Sequence, residues 1–337
     1  MKAVAYSTSL PITEHAALID VELPEPRPGG RDLLVSIKAI SVNPVDTKIR
    51  QRVQPEPGEF KVLGWDAVGV VQAVGEEVTL FAPGDAVWYA GAIDRPGTNA
   101  ELHLVDERIV GKKPASLDFA QAAALPLTSI TAWELLFDRL GIAQDTQASD
   151  KVLLIVGAAG GVGSILTQLA CQLTGVTVIA TASRKETADW VRALGAHHVI
   201  DHSKSLPDEL ARIGIAQVTH VASLTHSAEH LEQLVQVLVP FGRLAMIDDP
   251  GAADFTKLKS KSISLHWEFM FTRSLFKTAD MIEQHRLLSR VAELVDAGTL
   301  QSTFAQHYGK INAENLKRAH AMLESGKSRG KIVLEGF

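Results

Sequence analysis

The stretch KVLLIVGAAGGVGSILTQLA, from Lys151 to Ala170, constrains this chain more than any other. It opens on an unbroken apolar run, VLLIV (152–156), breaks into glycine, and resumes with apolar residues at helical spacing from Val162 to about Leu173. A strand that is apolar at every position has both faces buried, which is the condition of a parallel sheet covered by helices. The glycine break between such a strand and a helix leaves free N–H groups and the positive end of the helix dipole facing outward. Gly160 lets backbone approach a pyrophosphate, Gly163 lets the helix pack close to the sheet, and Gly161 and Val162 begin the helix. The first glycine of the G-x-G-x-x-G pattern is replaced by Ala158, with Gly157 just before it.

The surrounding sequence supplies the context this motif needs. After VLLIV come VTVIATA (176–182), HHVID, VTHVAS (218–223) and RLAMID (243–248), with helical patterns between them such as KETADWVRALG and AEHLEQLVQVLVP. Strands alternating with helices predict a doubly wound α/β sheet. Residues 1 to about 125 read differently. Short Val/Ile/Ala-rich segments, LLVSIKAIS (33–41), AVGVVQAVG (67–75) and DAVWYAG (85–91), are punctuated by PEPRPGG, QPEPGEF and FAPGD. Few stretches there are periodic enough for a helix. From Pro126 on, LTSITAWELLFDRLGI reads as a helix ending at Gly141, a long helix is expected near Thr278 to Ala297, and the chain closes on a helix over NAENLKRAHAMLESG and a strand, GKIVL (330–334).

The nucleotide is read from the end of the second strand. An NAD site carries Asp or Glu there, on the ribose hydroxyls. TASRKE instead offers Ser183, Arg184 and Lys185. A carboxylate would repel a 2′-phosphate and a guanidinium binds one bidentately, so NADPH is the expected cofactor.

The totals exclude other classes. With 337 residues, two domains of ~150 residues are expected. A net charge of -6 and the lack of basic blocks argue against nucleic acid or an acidic membrane surface as partner. Apolar runs stop short of the ~20 residues a membrane span needs, and no signal-peptide pattern opens the chain, so a cytoplasmic protein is expected. The single cysteine, Cys171, excludes an internal disulfide and any multi-cysteine metal site.

On SVNPVDTKIR (41–50), LGWDAVGVV (63–71), FAPGDAVWYAG (81–91), RPGTNAE (95–101), ALPLTSITAWELL (124–136), GAAGGVGS (157–164) and the closing GKIVL, the chain resembles the medium-chain dehydrogenase/reductase superfamily, in its quinone-oxidoreductase-like branch. It is most similar to the zinc-type alcohol dehydrogenase-like proteins. The resemblance implies a GroES-like β-rich catalytic domain (1–126 and 300–337), a Rossmann domain (127–299), and an active site in the cleft between them. It also implies a homodimer joined through the edge strand KSISLHW (261–267).

Zinc members of that superfamily carry Cys and His ligands where this chain has Asn43 and Trp65, and a further Cys near Leu127. Asn, Trp and Leu cannot build a tetrahedral zinc site. His226 and His230 stand four apart on a predicted helix but lack a third ligand, and His197 and His198 read as structural. Without a Lewis acid, reduction of a quinone or an α,β-unsaturated carbonyl is the easier chemistry, because the substrate's own carbonyl takes up the charge. An alcohol or aldehyde dehydrogenase, and a non-catalytic NADPH-binding redox sensor, are the competing readings.

Family matching sets Asn43 and Asp46 at the cleft floor, with Tyr89 as a possible hydrogen-bond donor or proton source. It sets Thr131 beside the nicotinamide, with Thr128 one turn earlier. Trp65, Trp133, Trp267 and Phe271 are candidate walls of an apolar pocket. His202 matches a position from which family members hold the adenosine 2′-phosphate, and Lys331 is expected to add to that site.

Overall fold

Why the apolar run at 152–156 tolerates no polar residue is plain from its place in the sheet. In the computed structural model, which describes residues 1–337, Val152–Val156 is an inner strand of six, and Leu153, Leu154, Ile155 and Val156 are fully buried. The strands run in the order His198–Ile200, Thr177–Thr181, Val152–Val156, Val218–Ser223, Leu238–Met246, Ser264–Trp267, and every pair is parallel. This is the 3-2-1-4-5-6 order of a dinucleotide-binding sheet. Helices Gly161–Leu173, Lys185–Ala193, Leu206–Arg212 and Ser227–Val237 make the crossovers.

The chain divides into two compact units, Thr131–Met270, which contains this sheet, and Met1–Ile130 joined with Phe271–Phe337. The second boundary differs from the one expected near residue 299. Helix Glu283–Asp296 buries its apolar face, including Leu287, Leu288 and Val291, within the β-rich unit. There His285 Nδ1 lies 2.6 Å from the Val110 carbonyl oxygen, and Asp296 accepts from the Ser116 N–H at 2.8 Å. An amphipathic helix does not reveal from its pattern which of two cores it covers.

The β-rich unit is organised by one long strand, Asp32–Ser41. Its first half pairs with Leu102–Asp106 and its second half with Lys331–Glu335, while Ala67–Val74 runs along its other side. The closing strand of the chain is thereby built into the sheet of the opening segment. A helix that the sequence pattern did not suggest, Pro44–Arg52, follows directly. Few of its residues are apolar. Asp46 caps it by accepting the Asn43 N–H at 2.5 Å, and the fully buried Arg50 ties it to Leu10 O and Glu324. The helix after Pro126 also departs from regularity. Beyond Pro126–Trp133 it widens to a π-turn at Glu134–Arg139, where Leu140 N–H donates to Leu135 O at 2.9 Å.

No helix is long and apolar enough to cross a membrane. Gly163 carries a testable constraint. A Cβ there would lie 2.5 Å from the Ala158 Cα, so the helix can approach the glycine loop only without a side chain. Gly163→Ala should cost about 1–3 kcal/mol of stability in urea titration, and an unchanged midpoint would show that the helix can shift without loss.

Candidate functional site

The glycine loop lies at the carboxyl end of Val152–Val156 and opens the 13-residue helix Gly161–Leu173. Gly157 has φ +82 and its added Cβ would strike Thr225 at 2.8 Å, so the position requires glycine. Gly160 is different. Its Cβ would meet only the Gly157 carbonyl oxygen, at 3.5 Å, an ordinary contact. The space in front of Gly160 is therefore open on the protein side, as a cradle for a pyrophosphate must be.

Thr181, the last residue of the second strand, ties this loop to its neighbours. Its hydroxyl accepts the Gly157 N–H at 3.1 Å and lies 3.1 Å from His202 Nδ1. Ser183 follows, exposed, and then Arg184, half-buried and 3.3 Å from Glu186. No carboxylate occupies the strand end itself. Burial, with His230 and His226 nearby, lowers the pKa of His202.

In the β-rich unit, Asn43, Asp66 and Lys331 form a buried polar network. All three are 3% exposed or less. Lys331 Nζ donates to Val42 O at 3.0 Å, to Asp66 Oδ2 at 2.9 Å and to Asn43 Oδ1. The Asn43 amide donates to Asp66 Oδ2 at 2.8 Å, and the Leu127 N–H donates to Asp66 Oδ1 at 2.8 Å. Burial pushes the Asp66 carboxyl up, while Lys331, Asn43 and Leu127 pull it back.

This network revises several expectations. Lys331 does not reach for a phosphate, because its ammonium is enclosed and its three donors are taken. Asn43 spends its amide on Asp66 and its carbonyl on Lys331, so it has no free donor for a substrate carbonyl. Asp46 caps a helix, and burial pushes its carboxyl up to about 7. Tyr89 is fully buried, stacked on His103, its hydroxyl 3.0 Å from His103 Nδ1. His103 Nε2 faces the Pro96 carbonyl oxygen at 3.0 Å and must donate to it, so the Tyr89 proton points at Nδ1. A phenol so enclosed, its pKa raised well above the usual value by burial, is a core residue and not an open proton source.

Among the pocket candidates, Trp65 and Phe271 meet edge to face at 6.3 Å, both in the β-rich unit. Trp267 belongs to the other unit, half-exposed at the end of the edge strand against Phe255. Trp133 stacks edgewise on Phe137. Thr128 is buried, with its hydroxyl donating to Leu125 O at 3.1 Å, and Thr131 is buried on the same helix. The residue that sequence reasoning passed over is Asp66. Its signal was present: a lone carboxylate in the apolar segment LGWDAVGVV.

A zinc ion does not fit this donor set. Asn43 is committed to Asp66 and Lys331, the Trp65 indole N–H donates to Ala92 O at 3.1 Å, and the Leu127 side chain offers no donor. No group of three or more His, Cys, Asp or Glu could hold a metal ion.

A six-stranded parallel sheet with a glycine loop in one unit, and a discontinuous β-rich sheet in the other, define a two-unit dinucleotide-dependent oxidoreductase scaffold. Comparison with known proteins names it. Residues 29–115 match the alcohol dehydrogenase GroES-like domain, and residues 194–334 match the zinc-binding dehydrogenase domain. A zinc-type alcohol dehydrogenase-like protein of Staphylococcus epidermidis is 39% identical over 99% of both chains. A structure from Rhizobium etli CFN 42, named among the zinc-dependent alcohol dehydrogenases, is 57% identical with a TM-score of 0.97, covering 100% of this chain and 98% of that one. Escherichia coli quinone oxidoreductase complexed with NADPH is 26% identical with a TM-score of 0.85, covering 99% and 100%. The chain belongs to the medium-chain dehydrogenase/reductase superfamily of oxidoreductases, beside its zinc-type alcohol dehydrogenase-like relatives.

The ion pair yields a test. Lys331→Met would strand the Asp66 carboxylate in the core and should cost about 3–5 kcal/mol in chemical denaturation. Adding Asp66→Asn to that variant should restore part of the loss. A single-variant cost below about 1 kcal/mol would mean that the buried carboxylate is not stabilised by Lys331.

Proposed function

We propose that this protein is an NADPH-dependent, zinc-independent oxidoreductase that reduces quinones or α,β-unsaturated carbonyls. The observation that carries the reading is that the zinc-ligand positions hold Asn43, Trp65 and Leu127, with Asn43 committed to Asp66 and Lys331 and the Trp65 indole N–H to Ala92 O, so this donor set holds no Lewis acid to activate an alcohol. An enone or quinone needs none, since its own carbonyl conjugation accepts the charge. The NADPH complex of the E. coli quinone oxidoreductase, a relative in fold and sequence, supports the same direction.

In this reading the glycine loop holds the pyrophosphate, with the open face of Gly160 toward it and the helix Gly161–Leu173 dipole behind it. Ser183, Arg184 and His202 receive the 2′-phosphate. Thr128 and Thr131 orient the nicotinamide end, and Trp65 and Phe271 supply apolar wall. NADPH, when bound there, would supply a hydride equivalent. The conjugated oxygen of the substrate would take up the charge, and water would furnish the proton. Asn43, Asp46 and Tyr89 hold structure around that reaction and are not assigned its proton. A homodimer paired through the edge strand, and a cytoplasmic setting, belong to the same proposal.

Three measurements test it. Purified protein should retain well under one zinc per chain after dialysis, and stoichiometric zinc would overturn the metal-free reading. NADPH oxidation should be supported by an enone or a quinone and not by an aldehyde; the reverse preference would favour the alcohol/aldehyde dehydrogenase. For the cofactor, Gly160→Val should abolish NADPH binding while the fold persists. Arg184→Ala should weaken NADPH by about 10- to 100-fold and leave NADH nearly unchanged. Because Glu186 already sits beside Arg184, the lower end of that range is expected. Equal wild-type affinity for NADH and NADPH would overturn the assignment of the 2′-phosphate site.

A further inference from the structure

His202 lies against Thr181, the last residue of the second strand, and two further histidines gather beside it. The His202 ring stands 6.2 Å from that of His230, nearly perpendicular to it. His230 projects from helix Ser227–Val237, and His226 precedes that helix with φ +52, a conformation unusual for any residue but glycine. His230 Nδ1 is buried and has no hydrogen-bond partner. Both rings line an open cavity of about 620 Å³ that also includes Ser203, Lys204, Asp208 and Glu229.

His202 Nδ1 lies 3.1 Å from the Thr181 hydroxyl, which also accepts the Gly157 N–H. In the tautomer whose Nδ1 accepts the Thr181 proton, Nε2 carries hydrogen in the neutral ring. A neutral ring at this place makes an ordinary hydrogen bond to a phosphate; a protonated one makes a charge-assisted bond about twice as strong.

The geometry points to His202 and His230 as a proton-gated receptor for the 2′-phosphate of NADPH: the pair takes up a solvent proton when the phosphate binds, so the preference for NADPH over NADH rises as pH falls. This rests on the NADPH reading above and adds its regulation. The proton goes to an imidazole nitrogen of the pair, and the resulting N–H faces the phosphate oxygen.

The charges around the pair favour this arrangement. Facing His202 are Asp201 on its own loop, and His226 and His230 from the helix. Asp201 is partly satisfied by Ser203 and Lys204, at 2.9 and 3.9 Å. Facing His230 are His226, Glu229 and Asp248, the last tied to Ser227. Burial first, and the neighbouring histidines second, lower the pKa of both His202 and His230. Both are therefore neutral near neutral pH in the free protein, and an arriving phosphate, an acceptor with up to two negative charges, raises them. A group whose pKa rises on binding strengthens binding as pH falls toward its free value.

Kd values for NADPH and NADH should be measured by calorimetry between about pH 6 and 8, a range over which imidazole titrates. NADPH should tighten about 10-fold from the top to the bottom of that range, and NADH by less than about 2-fold. His202→Gln should flatten the NADPH profile while leaving NADH affinity unchanged. His230→Gln, which opens the space beside His202, should move the midpoint of the profile to higher pH. The phosphate's own titration is common to every variant and cancels in the comparison. Independently of any variant, wild-type calorimetry in buffers of different ionisation heat should show uptake of a fraction of a proton per NADPH near neutral pH and none per NADH. Absence of proton uptake, or an unchanged profile in both variants, while NADPH remains preferred and Arg184→Ala remains impaired, would overturn the receptor and leave the NADPH reading standing. Equal affinity for the two cofactors would instead remove the reading beneath it.

Discussion

The Asp66–Lys331 ion pair holds together a unit made of two pieces of chain. The two residues are 265 apart in sequence, yet their side chains meet at 2.9 Å in a core where both are 3% exposed or less. A buried charge is tolerated only when paired and fully hydrogen-bonded. Asp66 meets that condition through Lys331, Asn43 and the Leu127 N–H, and Lys331 through Asp66, Asn43 and Val42. Four segments are thereby registered against one another: the turn before helix Pro44–Arg52, the start of strand Ala67–Val74, the start of helix Pro126–Trp133 and the closing strand.

Of the positions at which the resemblance sets zinc ligands, Asn43 and the Leu127 N–H are drawn into this centre. Here the Lys331 ammonium neutralises the buried Asp66 carboxylate. The difference in chemistry is large. A metal polarises a substrate and lowers the pKa of what binds to it; a lysine with all three donors engaged does neither. In this chain the polar cluster is structural, and under the proposed function the chemistry falls to the cofactor and to the electronic nature of the substrate.

The parallel sheet was legible from sequence because burial on both faces forces a continuous apolar run, and VLLIV is one. The glycine loop was legible because strand, glycine and helix follow within twenty residues. Helix Pro44–Arg52 was not, since it is held by a cap and by the buried Arg50, and its few apolar positions leave little periodicity to read. Residues Glu283–Asp296 were recognisable as a helix, yet nothing in their pattern names the core they cover. At the candidate site, residue identity revealed which side chains stand at the motif positions but not what they touch. Asn43 and Lys331 read as available groups; only their three-dimensional partners show them to be spent. His230 read as one half of a metal-like spacing, and its partner turned out to be His202, from a different loop.

The discontinuity of the β-rich unit has a consequence for the order in which the molecule is made. Strand Asp32–Ser41 lacks part of its pairing until Lys331–Glu335 arrives, which follows the whole middle unit in sequence. The six-stranded sheet, by contrast, lies wholly within Thr131–Met270. During translation the contiguous middle unit has all its strands before the first unit has its last one, which inverts the usual N-terminal-first sequence. The opening segment must wait with an exposed strand edge, a condition that favours association with other chains.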